Sequence, residues 1–320
     1  MGNHQELESR WPFYKRIAGL AFFSFLVLIV PLILNDPYYL ELLFLCHYYV
    51  VLACSWDLLS GFTGNINFGH AFFVGGAGFA GALLNLRAGY PPWLTLPIGG
   101  LVAAFCGLLV GAFTLRLRGP YFAAVTFCFG TLLYKWVMVS PRIFGSEEGL
   151  PGLTPLTDSP LGNYYFSAVY MVIVVFSLFI ASKSSFGLIL RSIGENERVS
   201  EGSGINTTYY KVVAFIVSAF MAGIAGAMYG HARMHVGPDM VHDSLSALVL
   251  MMAVVGGMGS IVGPIIGAYI LTLVNELLRF MGGLRLLVYS SAVVLVILFA
   301  PKGLLEIFSQ LLRRMIGLRK

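Results

Sequence analysis

Three groups of residues in this 320-residue chain have types and spacings that chemistry can use. His231 and His235 stand at i, i+4, with His242 close behind, the spacing that aims two imidazoles from one helix face at a zinc ion. Their place around Pro238, at the end of an apolar stretch, makes interfacial histidines the ordinary reading. Glu147 and Glu148 adjoin in a segment rich in Gly and Pro. Two neighbouring carboxylates are a weak metal signal, and a solvated or docking face accounts for them. Gly76-x-Gly78-x-x-Gly81 matches the dinucleotide fingerprint, which requires a strand before it and a βαβ unit around it. Here the match lies inside an apolar helix pattern, where small residues let helices approach closely.

Other chemistry is missing. The dipeptide Gly-Lys never occurs, so there is no phosphate-binding P-loop. No Ser/His/Asp arrangement stands out. Cys46, Cys54, Cys106 and Cys128 all fall in apolar stretches without a CxxC pair and read as small buried side chains. The ionisable residues in or near apolar segments are Glu41, Asp57, Lys135, Asp243 and Glu276. Most lie near enough to an end to snorkel or cap, and Asp57 is the best candidate for a buried carboxylate. A carrier driven by its own proton relay would bury such groups plainly.

The elements that must position these residues follow from composition. Hydrophobic residues make up 58% of the chain and charged residues 11%, against about 25% charged in soluble domains. The chain reads as an all-α, polytopic membrane bundle forming one domain over residues 1–320. Its net charge of +5 needs no nucleic acid, because basic residues at cytoplasmic helix ends explain it. About 20 apolar residues span a bilayer. The apolar runs place some ten spans, a few of them short or broken, near 17–34, 38–59, 64–85, 94–115, 120–139, 164–182, 208–232, 244–257, 261–280 and 285–301. The first has no cleavage-site pattern after it and reads as a retained helix. Glu6 stands where myristoylation wants Ser or Thr.

With both termini in the cytoplasm, the basic residues divide fourteen inside to six outside, of 20 in all, as the positive-inside rule requires. The polar stretch 186–211 then faces the cytoplasm. Arg191, Glu195, Glu197, Arg198, Glu201 and Lys211 cannot all lie in hydrocarbon, where each costs about 2.5–3.5 kcal/mol or more at mid-bilayer. The pattern predicts one short amphipathic helix from Leu190 to Glu201, ending at Gly204. Such an element on the aqueous side suits a partner protein. The loop 140–163, with Glu147 and Glu148, lies on the opposite side.

Glycines break the hydrophobic pattern twice more. Gly61 to His70 contains Gly64, Asn65, Asn67 and Gly69, and reads either as irregular backbone buried in protein or lining a cavity, or as a capped cytoplasmic turn. Gly256, Gly257 and Gly259 form the second break. Gly259, Gly263 and Gly267 read as one continuous small-residue ridge, and Pro264 as a kink or first turn. Gly107-x-x-x-Gly111 and Gly226-x-x-x-Gly230 read as packing motifs.

Taken in order, several blocks make the chain resemble the permease subunits of branched-chain amino acid ABC importers, of the LivM type. They are Asp57 to His70, Gly119 to Thr126, Gly145 to Gly152, Phe186 to Lys211, Gly256 to Ser260 and Pro301 to Leu304. The resemblance implies that this chain is a non-catalytic transport subunit of a bacterial inner membrane. It implies a second, LivH-like permease, two ATPase subunits that use ATP and magnesium, an external binding protein and no cofactor on this chain. It gives the 186–211 loop the part of an ATPase-coupling element, with Arg191, Glu195, Glu197, Arg198, Glu201 and the motif glycine Gly204. Val199 and Ser200 depart from the usual paired alanines, and Gly202-Ser203 replaces a better helix former. Pore or broken-helix candidates are Gly64, Asn65, Asn67, Gly69, His70, Gly256, Gly257 and Gly259. Glu147 and Glu148 are candidates for docking the binding protein. The solute implied is leucine, isoleucine or valine. The alternatives are a permease for urea, short amides or another small solute, and a secondary transporter or channel.

Overall fold

The computed structural model describes residues 13–34, 36–114, 117, 119–284, 288, 291, 294, 298 and 303–305. The chain is an all-α membrane bundle. Its helices are α1 (Phe13–Ile33), α2 (Pro37–Thr63), α3 (His70–Ala88), α4 (Pro92–Thr114), α5 (Pro120–Val139), α6 (Pro160–Lys183), α7 (Ser185–Glu195), α8 (Glu197–Gly202), α9 (Thr207–Arg233), α10 (Asp243–Gly256) and α11 (Val262–Leu277). Six of these, α2 to α6 and α9, are long and apolar enough to cross a membrane, and the apolar parts of α1, α10 and α11 are shorter. Nine of the ten expected spans thus coincide with helices. The tenth, 285–301, falls largely outside the described residues.

The central element is α2. Asp36 caps it, accepting from the Tyr38 N–H at 2.9 Å, and Pro37 supplies a preset first turn. It runs 27 residues, about 40 Å, with 78% of its most apolar window buried; for α5 the figure is 28%. So α2 is the post around which α6, α9, α10 and α11 pack, and α5 lies at the rim.

Apolar side chains gain little from leaving lipid for one another, so close backbone packing must hold such a bundle. The glycine motifs supply it. Gly107 and Gly111 on α4 meet Phe215 and Ala219 on α9, and a Cβ on Gly226 would run into the Val74 carbonyl of α3. The apparent dinucleotide fingerprint lies within α3, with Gly81 facing Thr95 and Ala227. On α10 and α11, Gly256 abuts the Gly263 carbonyl and Gly267 abuts that of Met252. Only part of the expected ridge is helical, however: Gly259 sits in the turn between the two helices, at φ 75°. Pro264 falls in the first turn of α11, where its missing N–H is harmless.

At the far side from α7, β1 (Leu150–Pro151) pairs antiparallel with β2 (His235–Val236). Asn85 braces this end, donating to the Tyr90 carbonyl and to Thr154 Oγ1, both at 2.7 Å. His231 is held by Thr95 Oγ1 at 2.6 Å and the Thr154 carbonyl at 2.8 Å, His235 by the Glu148 carbonyl at 2.9 Å, and His242 by Ser244. Each imidazole has its own structural partner. Among the described residues no group of three His, Cys, Asp or Glu side chains can hold a metal.

The packing separates two glycines sharply. Gly226→Val should destabilise the bundle by about 1–3 kcal/mol, the usual cost of overpacking, and lower the thermal midpoint in detergent. Gly202→Ala, whose added Cβ meets nothing within 4 Å, should raise it slightly, since Ala is the better helix former by about 1 kcal/mol.

Candidate functional site

The two glycine breaks and the polar stretch, far apart in sequence, meet at one place. Gly64 ends α2 in the left-handed region, at φ 74°, donating its N–H to the Ser60 carbonyl. The connection to α3 then runs through protein. Trp56 Nε1 donates to the Asn67 carbonyl at 2.7 Å, and the Asn67 N–H donates to Ser60 Oγ at 3.1 Å. Asn67 Oδ1 accepts from the Gly69 N–H at 2.8 Å, and Thr126 Oγ1 accepts from the Phe68 N–H at 3.2 Å. His70 Nε2 lies 3.1 Å from Ser55 Oγ, and Ser246 Oγ accepts from the Ala71 N–H at 2.8 Å. Asn67, Gly69 and His70 are buried, whereas Gly64 is exposed and Asn65 half-buried. Asn67 closes the turn on the Gly69 N–H, no side chain caps α3, and the irregular backbone lies among α2, α5 and α10.

The second break lies against α2. Asp57, 1% exposed, accepts from the Gly259 N–H at 2.8 Å. One turn further along, Gly61 makes room, because a Cβ there would collide with Asp57 Oδ1 and the Gly259 nitrogen. Ser260 closes the turn, donating to the Gly257 carbonyl and accepting from the Gly263 N–H, both at 3.0 Å. Gly303 follows on, with the Gly257 backbone in the way of any side chain it could carry. Pro301 and Lys302 lie outside the described residues.

The polar stretch completes the junction. Gly194 on α7 sits against the Phe62 carbonyl and the Thr63 backbone, and Gly64 faces the Gly194 carbonyl. The Arg191 guanidinium lies over the Phe62 ring, 4.7 Å from its centroid, with Nη2 3.5 Å from the Gly259 carbonyl. The site is therefore a junction of backbones, α2 with α7 and α2 with the α10–α11 turn, pinned by one buried carboxylate and one guanidinium.

The expected single helix from Leu190 to Glu201 is in fact two. α7 starts earlier, at Ser185, and stops at Glu195; Asn196 is extended (φ −158°, ψ 100°) and caps α8, accepting from the Val199 N–H. An Asn that can cap competes with helix continuation at that position. α8 ends at Gly202, and Gly204 follows at φ 84°, exposed and with open space around it.

The acidic residues of this element divide in two. Glu197 forms an ion pair with Lys211 at 2.6 Å, the lysine side chain being 3% exposed. Glu201 accepts from Thr207 Oγ1 at 3.0 Å. Both carboxylates thus fasten α8 to the N-terminal turn of α9, where the helix dipole favours negative charge. Glu195, Arg198 and Val199 are exposed, as is Glu201 beyond its bond to Thr207. The sequence reading missed Lys211 as the partner of Glu197, and missed the link from Asp57 to Gly259. The spacing of Asp57 and Gly61, one helical turn apart, was the available sign of a close approach. Glu147 and Glu148 lie exposed in a short 3-10 turn beside β1, apart from this junction.

Residues 38–301 match the family described as the permease component of branched-chain amino acid transport systems. The chain is 29% identical over 286 residues to the high-affinity branched-chain amino acid transport system permease protein LivM of Salmonella typhimurium, covering 80% of this chain and 67% of that one. It is 30% identical to LivM of Escherichia coli K12 over the same shares. The autoinducer 2 import system permease protein LsrC of Escherichia coli K12 (strain DH10B) is 28% identical over 207 residues, 62% of this chain and 59% of that one. No solved structure matches the chain. An ordered series of glycine breaks on a multi-pass α-helical bundle, matched along most of its length, places this chain in the branched-chain amino acid transport permease family.

Proposed function

We propose that this chain is the transmembrane permease of a bacterial inner-membrane ABC importer, with both termini in the cytoplasm, and that it moves leucine, isoleucine or valine inward. The observation that carries this reading is the placement of α7 and α8. They are a polar, partly exposed unit outside the apolar spans, yet Gly194 brings α7 into backbone contact with the end of α2. A separate ATPase that pushes on such a unit moves the break between α2 and α3 directly. The ATP and magnesium belong to two ATPase subunits, and this chain converts their motion into alternating access.

The exposed surface of the unit, with Leu188, Glu195, Arg198 and Val199, is the ATPase contact on this reading, while Glu197 and Glu201 hold the unit in place. A second, LivH-like permease pairs with this chain, and the little-buried α5 leaves a spanning face for it or for lipid. An external binding protein docks on the side of Glu147 and Glu148 and supplies most of the selectivity. The branched-chain solute rests on the two LivM relatives; the likeness to LsrC supports a different small solute as the second reading.

Reconstitution of the whole importer in proteoliposomes tests the solute. ATP-dependent uptake of labelled leucine, competed by isoleucine and valine, is expected. Uptake that proceeds without the ATPase subunits would overturn the ABC reading, and ATP-driven uptake confined to another solute would overturn the branched-chain one.

The two classes of charge can be told apart. Arg198→Glu combined with Val199→Glu should cut binding-protein-stimulated ATP hydrolysis about tenfold, roughly the 1.4 kcal/mol of one lost contact, in a complex that still assembles. Glu197→Gln should act on stability, because it strands a buried ammonium, a change that costs about 3–5 kcal/mol when a buried pair is broken. A thermal midpoint unchanged by Glu197→Gln would refute the holding role.

A further inference from the structure

We infer that Asp57 and Arg191 are positioning residues that grip Gly259 from two sides, so that displacement of α7 is carried to the α10–α11 turn as well as to α2. This rests on the coupling role proposed for α7. The geometry is specific. Gly259 is held at its N–H by the Asp57 carboxylate at 2.8 Å, and its carbonyl faces Arg191 Nη2 at 3.5 Å. The Asp57 carboxyl oxygen accepts from the amide N–H, and the Arg191 guanidinium faces the carbonyl in the favourable, charge-assisted sense. One group belongs to the post α2 and the other to α7.

Three features show that the grip is built in. Gly61 leaves the space through which Gly259 reaches Asp57. Gly259 itself holds φ 75°, a conformation that glycine adopts without strain. Arg191 is fixed over Phe62, so its guanidinium has a set direction rather than a free arc. Gly303 packs on the neighbouring Gly257, which brings the segment after the last expected span to the same turn. Asp57 Oδ2 is buried with no hydrogen bond among the described residues.

The consequence is mechanical. α10 has 14 residues, about 21 Å, short of the ~30 Å hydrocarbon core, while α11, of 16 residues, continues directly into a 3-10 segment, Leu278–Leu284. The turn that joins the two helices is the one that Asp57 and Arg191 hold. Moving α7 either drags this turn with it or breaks the hold on the Gly259 carbonyl.

The test uses the complete importer, with its second permease, ATPase subunits and binding protein, and reads solute moved per ATP hydrolysed. This ratio is independent of how much complex assembles, so a purely structural role leaves it unchanged. Asp57→Asn and Arg191→Gln should each lower the ratio by about two- to thirty-fold, the range by which residues along a coupling route modulate it. Arg191→Lys should restore part of the loss, since it keeps the charge but loses the planar stacking. Because both residues act on one peptide segment, the double variant should be no worse than the poorer single one. Single variants with wild-type ratios, or a double variant whose loss is the product of the two, would overturn the grip. A wild-type complex that neither hydrolyses ATP nor transports would instead refute the coupling role beneath it. Should Asp57→Asn fail to assemble, Arg191→Gln and Arg191→Lys decide the matter alone: a wild-type ratio in both overturns the grip.

Discussion

The hydrogen bond from the Gly259 N–H to the Asp57 carboxyl group ties the α10–α11 turn to the central helix α2. A turn between two helices leaves backbone groups without intrahelical partners, and inside a membrane protein these must be satisfied by protein. The α10–α11 turn meets that demand internally. Ser260 closes it on itself, and Asp57 ties it to the central helix. The tie needs the two backbones to lie almost in contact, and Gly61 and Gly259 permit this by having no side chains. A carboxyl group buried this fully is costly, and one hydrogen bond, worth about 0.5–1.5 kcal/mol net, offsets only part of that. Such a group persists where it holds something that apolar packing cannot.

The junction also explains why the polar α7–α8 unit is divided. A single helix through residue 196 would keep one rigid axis from α6 to α9. The extended Asn196 instead lets α7 lie against the end of α2 while α8 turns towards α9. Each half then has its own anchor. α7 buries Gly187, Leu190 and Ile193 and is in backbone contact through Gly194. α8 is held by the Glu197–Lys211 pair and by Glu201 on Thr207. Of the acidic residues that stand out in the sequence, Glu197 and Glu201 bind α9 and Glu195 faces outward with Arg198 and Val199.

Much of the fold is legible in the sequence for a simple reason. The bilayer fixes helix length and excludes charge, so hydropathy locates the spans; most helix ends fall within four residues of the expected limits, while α3 starts at His70 rather than 64, after the glycine break. The glycine blocks were legible as breaks and as packing motifs. What joins them was not. Asp57 and Gly259 are 202 residues apart, and nothing local to either reveals the other. Lys211 reads as one more charge that hydrocarbon rejects, yet it is buried because a carboxylate reaches it from α8. The Asn196 break was missed because helical periodicity runs on through it, while the cap that stops the helix is a local competition between side chain and backbone. His231, whose spacing suggested a metal, is used up by Thr95 and Thr154, partners that no spacing rule supplies.

A joint made of backbones behaves differently from one made of side chains. Surface ion pairs between long side chains swivel, and motion on one side is largely absorbed before it reaches the other. Gly194 against Phe62 and Thr63, Gly64 against Gly194, and Gly61 against Gly259 leave no such slack, because nothing flexible stands between the main chains. Packed interiors of this kind shift between discrete arrangements instead of deforming smoothly. On the coupling reading, a push on α7 therefore has two outcomes. Either α2 and the α10–α11 turn move together with it, or the junction opens at its weakest link, the long contact between Arg191 and the Gly259 carbonyl. Both alternatives change the inner ends of three helices at once, which a small displacement of an exposed eleven-residue helix could not do through side chains alone.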